Sequence, residues 1–152
     1  MRLYIMQPWP STYEMLGEVA PRKLASKFEG RKVGAIKATI PPRTVEPPQV
    51  HLICPDRHPF EELLTGFDKE FLVAFYNYKT KGISLEEYSP GENIIIPEFK
   101  IHWLINKHAE GLAYVCQYAP YPWDGNNDEP EFPDLGTLLA SMRERNLLDK
   151  LE

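Results

Sequence analysis

Residues 91–106, GENIIIPEFKIHWLIN, restrict the fold more than any other stretch of the chain. The preceding Ser89-Pro90-Gly91-Glu92 has the composition of a tight turn, in which proline presets φ and glycine accepts a positive φ. Residues 93–96, NIII, are rich in β-branched side chains and too few for a helix, so they predict a strand. Pro97 removes a ladder donor and is tolerated at a sheet edge or a strand end. Residues 101–105 then predict a second strand, with His102 and Leu104 facing one way and Trp103 and Ile105 the other.

The same texture extends on both sides. Short β-rich segments are predicted at 33–40, 49–54, 61–65, 71–78, 93–96, 101–105 and 112–118, which is the spacing of a sandwich or barrel. Fifteen prolines in 152 residues favour many short elements joined by turns. The length suits one domain with a real core. The first 32 residues predict an arm, with a short strand at 3–6 and a capping box at Ser11-Thr12-Tyr13-Glu14, and Pro21 must interrupt any helix there. Residues 121–152 predict a loop and a helix: APYPWDGNNDEPEFPDL is a surface loop or strap, and Asp134 offers an N-cap to an apolar stripe of Leu135, Leu138, Leu139, Met142, Leu147 and Leu148. That stripe is expected to pack on the outside of the barrel.

Gly91, Pro97, His102 and Asn106 fall in the order glycine, five residues, proline, four residues, histidine, three residues, asparagine. This spacing resembles the second sequence motif of the cupin superfamily, with Phe99 standing where that family usually has glycine. The resemblance implies an all-β fold, a cupin-type β-barrel (jelly roll, or double-stranded β-helix) spanning 33–120, flanked by the N-terminal arm and the C-terminal α-helix. It also implies that His102 points into the barrel as a metal ligand; a core histidine satisfied by hydrogen bonds is the competing reading.

The family's first motif, two histidines one residue apart followed by a glutamate and a glycine, is degraded here. One register places Asp56 at the first histidine, His58 at the second and Glu62 at the glutamate, with Gly66 too close behind to be the motif glycine. A second register begins at His51, leaves Ile53 at the second histidine and puts His58 at the glutamate position. The sequence leaves both open. His58, Glu62 and His102, with Asp56 and with His51 in reserve, would form a mixed nitrogen and oxygen site suited to a divalent transition metal such as Fe, Mn, Ni or Zn. Cys54 beside His51 and His58 lacks a fourth partner for a closed structural zinc site. Cys116 follows an apolar run and is expected to be a small core residue, and the two cysteines are expected to be separate thiols. His108 is expected in an exposed turn, and Lys37 and Arg43 are expected to face water.

A formal charge of −5 without a run of lysines and arginines gives no source of attraction to nucleic acid or to an anionic membrane surface. The N-terminal residues lack the uninterrupted apolar centre of a signal peptide, so a cytoplasmic location is expected. Two functional classes remain. One is a metal-binding cupin acting on or binding a small polar metabolite, a sugar or carboxylate, as an isomerase, lyase or oxygenase. The other is a metal-free barrel that binds such a molecule without turning it over. A homodimer is compatible with both.

Overall fold

The computed structural model describes residues 1–6, 18–20, 22–29, 34–51, 61–119 and 132–151. Among them are eleven strands: β1 (Arg2–Met6), β2 (Glu18–Val19), β3 (Lys23–Glu29), β4 (Gly34–Ile40), β5 (Thr44–Val45), β6 (Glu61–Thr65), β7 (Phe71–Asn77), β8 (Gly82–Tyr88), β9 (Ile94–Pro97), β10 (Ile101–Asn106) and β11 (Leu112–Ala119). One helix follows, α1 (Leu135–Glu144), and then a single 3-10 turn, Leu148–Lys150. The strands form two sheets, ordered β1-β8-β7-β10-β5-β2 and β3-β4-β11-β6-β9. Every pair is antiparallel except β2 with β5.

The alternation expected for 101–105 is present. His102 lies opposite Phe75 and Leu104 opposite Val73, and Leu104, Val73 and Phe75 face the second sheet in a core that also contains Ile36, Ala38, Ile40, Leu64, Ile94, Ile96 and Tyr114. Trp103 and Ile105 face the other way, into a second core formed with Ala74, Tyr76 and Ile83 and covered by Leu135, Leu138 and Met142 of α1. The helix therefore lies on the outer face of the six-stranded sheet. Asp134 is its N-cap and accepts a hydrogen bond from Thr137 N at 2.7 Å. The helix ends before the apolar stripe does, because Asn146 takes φ 55° and Leu147 N turns back to Met142 O at 2.9 Å.

The motif residues have separate local tasks. Gly91 adopts φ 93° in its turn. Pro97 is the last residue of β9, itself the edge of the five-stranded sheet, where a missing donor is harmless. Asn106 is buried and acts as a clamp: its Nδ2 donates to the carbonyls of Ile40, Pro41 and Glu110, and its Oδ1 accepts from His108 N.

Several elements differ from expectation. β8 and β3 were not among the predicted strands. Of the strand expected at 49–54, the described part is Gln49, which forms an isolated bridge with His102, and Val50 and His51 beside it. The N-terminal arm supplies β1, paired with β8, and β3, paired with β4, so it extends both sheets at their edges. The capping box at 11–14 and the proline-rich loop with Tyr121 and Trp123 lie outside the described residues. No helix among the described residues is long and apolar enough to cross a membrane.

Candidate metal centre

Three fully buried side chains converge at one end of the space between the sheets. His51 follows the Gln49 bridge, Glu62 projects inward from β6, and His102 from β10. Each offers one ligand atom, and the three atoms lie within 4.8 Å of one another. The imidazole rings of His51 and His102 are 4.9 Å apart between centroids, and the ring of Tyr118 stands edge-on to His51 with 6.0 Å between centroids.

His102 Nδ1 lies 2.9 Å from the Lys100 carbonyl, which only accepts, so Nδ1 carries a proton. In the neutral ring Nε2 is then a bare lone pair. It points toward Glu62 Oε2 at 3.6 Å and has no hydrogen-bond partner among the described residues. A lone pair facing a carboxylate is repulsive unless a positive charge stands between them. His51 Nε2 reaches the same Oε2, and the Cys116 thiol donates to Oε1. Burial works to raise the pKa of Glu62, but the adjoining His51 outweighs it and holds the carboxyl well below the usual carboxylate range. An anionic carboxylate and an inward nitrogen lone pair are what a borderline divalent cation takes, so the group is able to hold a metal.

Glu62 of the first register and His102 of the second motif are in the centre, joined by His51, which belongs to the second register. One residue from each register is thus used, eleven positions apart. Asp56, His58 and Cys54 lie outside the described residues. Cys116 is buried as expected, and it also touches a candidate ligand. Lys37 is exposed on β4, Arg43 is exposed in a turn, and His108 lies in the connection before β11 with Nε2 on the Glu70 carbonyl at 2.8 Å.

A second polar group adjoins the centre. Tyr114, Cys116 and Tyr118 occupy alternate positions of β11 and share its inward face. Cys116 Sγ is 3.1 Å from Tyr118 Oη. Arg22, just before β3, donates from Nη1 to Tyr114 Oη at 2.9 Å and from Nη2 to Tyr118 Oη at 3.4 Å. Tyr114 Oη in turn lies 3.3 Å from Oε1 of Glu46, which is fully buried and whose Oε2 accepts from Gln49 Nε2 at 3.0 Å. Desolvation pushes the Glu46 carboxyl up to about 7, against the opposing pull of Arg22. Burial and the neighbouring acids likewise push Cys116, Tyr114 and Tyr118 up, so these three are neutral donors at physiological pH. The period-2 pattern of β11 was a usable signal for the two tyrosines. Arg22 and Glu46 each stand beside a proline in no periodic pattern and gave none.

The same arrangement of sheets occurs in solved structures. A cupin family protein with a double-stranded β-helix fold from Methanocaldococcus jannaschii is 13% identical, with a TM-score of 0.50 over 70% of this chain and 86% of that one. The cupin domain of Schizosaccharomyces pombe Cnp3 is 12% identical, with a TM-score of 0.52 over 83% of this chain and 72% of that one. The chain spans about half the length, 53%, of Peruvianin-I, a cysteine peptidase from Thevetia peruviana latex, over 60% of its own length at 15% identity and a TM-score of 0.49. No family model matches the chain, and no curated protein matches it. The chain has the cupin fold, a double-stranded β-helix. It carries in the interior of that barrel a histidine–glutamate–histidine group able to hold a metal.

Proposed function

We propose that the protein is a metal-binding cupin in which His51, Glu62 and His102 hold a divalent transition metal, and that it takes a small polar metabolite, a sugar or carboxylate, at that metal. The observation that carries this reading is the buried Nε2 lone pair of His102, aimed at an ionised carboxylate with no hydrogen bond of its own among the described residues. Bound there, such a metal supplies Lewis-acid polarisation of a substrate oxygen or a bound water of lowered pKa. The chain's own part is to orient the donors. The Lys100 carbonyl fixes the His102 tautomer, and the Cys116 thiol holds Glu62 Oε1. A backbone bond from Phe99 N to His51 O at 2.7 Å anchors the third ligand.

One observation favours a metal-free binding barrel instead: both oxygens of Glu62 already meet partners, His51 and Cys116. Elemental analysis of purified, tag-free protein separates the two readings. The expected result is near-stoichiometric transition metal, lost in His102→Ala and His51→Ala variants that keep the wild-type circular dichroism spectrum. Metal-free protein that also refuses added Fe, Mn, Ni and Zn refutes the metal reading in favour of the binding barrel.

A further inference from the structure

Arg22 presents a guanidinium to the interior of the barrel with little to neutralise it. Its two hydrogen bonds go to phenol oxygens, and among the described residues no carboxylate lies within ion-pair distance of it. Glu46 is the nearest candidate counter-ion on that side, but Tyr114 stands between them, accepting from Arg22 and donating to Glu46 Oε1. Five N–H groups in a fixed fork, of which two are used, leave donors for a further acceptor. A cation in low dielectric with neutral partners is costly unless an anion completes it. Arg22 is only partly buried as a residue, whereas Tyr114, Tyr118 and Glu46 are fully buried.

The guanidinium is joined to the candidate metal centre by a short relay: Nη2 to Tyr118 Oη, Tyr118 Oη to Cys116 Sγ, Cys116 Sγ to Glu62. Three hydrogen-bond lengths limit the separation to on the order of 9 Å. A small organic acid is of that size. We infer that Arg22 is the specificity-determining residue for a carboxylate-bearing substrate, gripping its carboxylate while the opposite end of the molecule faces the His51, Glu62 and His102 group. One guanidinium suits a monoanion. A phosphate dianion would need a second cation, and it would lie against Glu46 and Glu62 instead. Tyr114 and Tyr118 are positioning residues that aim the fork.

This assignment builds on the metal reading, yet it can be tested apart from it. Pyruvate, 3-hydroxybutyrate and gluconate are titrated by isothermal calorimetry into metal-free and metal-loaded wild-type protein, with inorganic phosphate and methyl pyruvate as comparisons. At least one of the three acids is expected to bind, with Arg22→Gln weakening it roughly ten-fold or more and Arg22→Lys by less, at unchanged metal stoichiometry. The neutral ester is expected to bind far more weakly than its acid to the wild type, a readout that needs no variant to fold. Failure of all three acids to bind, equal affinity in Arg22→Gln, equal affinity of ester and acid, or tighter binding of phosphate overturns the assignment. Arg22-dependent binding by a protein that takes no metal refutes the metal reading and leaves this one standing.

Discussion

Glu46 is fully buried, and its carboxyl is pushed from an ordinary value of 4.5 up to about 7, chiefly by loss of water. Replacing it with glutamine tests what that costs. Below the unfolded value both states hold the proton and the group contributes nothing to the pH dependence. Between 4.5 and about 7 the unfolded chain ionises while the folded one stays protonated, so stability falls as pH rises. Above about 7 the loss is complete. A displacement of about 2.5 pH units at about 1.4 kcal/mol per unit makes it about 3.5 kcal/mol. Glutamine cannot ionise and keeps the shape. Its amide also has somewhere to go, since Gln49 Oε1 has no hydrogen-bond partner among the described residues and can accept once the Gln49 amide turns over. Urea unfolding followed by tryptophan fluorescence, for both proteins at half-unit steps of pH from roughly 4 to 9, reads the difference. The two should be similar near pH 4.5, and Glu46→Gln should gain steadily to about 3.5 kcal/mol by pH 8. A gap that stays flat with pH, or a variant less stable than wild type at pH 8, refutes the reasoning and means that the ionised carboxylate is stabilised by Arg22 more than burial destabilises it.

Two further substitutions probe the frame around the site. Arg43 is exposed and holds φ 51°, a region that costs a non-glycine residue about 1–2 kcal/mol, so Arg43→Gly should raise stability by up to about 1 kcal/mol after its extra unfolded-state entropy, seen as a higher Tm; a lower Tm contradicts this. Asp134→Ala removes the acceptor of Thr137 N and should cost about 1 kcal/mol. Faster amide exchange at Thr137 should accompany it, with the exchange of β10 unchanged.

The second motif was readable because each of its residues answers to local physics: a turn glycine, an edge proline, an alternating strand. The position occupied by Phe99 shows why the departure there did not break the pattern. Phe99 adopts φ 58°, the glycine-like conformation, with a buried ring, and so keeps the turn that sends its N–H to His51. The first motif was not readable because its candidate ligands, His51 and Glu62, are separated by a stretch with no periodic pattern to fix the facing of one from the other. β8 escaped notice because GISLEEY is half-buried along most of its length and carries adjacent glutamates, so no apolar alternation marks it. β3 is exposed at every described side chain from Lys23 to Phe28, which leaves no inside and outside to distinguish. Arg22 and Glu46 owe their placement to long-range register, which a single sequence does not encode locally.

The inward face of β11 runs Leu112, Tyr114, Cys116, Tyr118, and its neighbours change with it. Phe71 packs on Tyr114 toward one end, while His51 and Glu62 meet Tyr118 and Cys116 toward the other. Such a gradient divides labour along a single strand. The apolar end, with Ile40, Phe67 and Phe71, holds the sheets together, and the polar end is left free to vary its chemistry. Substitutions at the polar end could therefore change its chemistry while the half that holds the sheets together goes untouched.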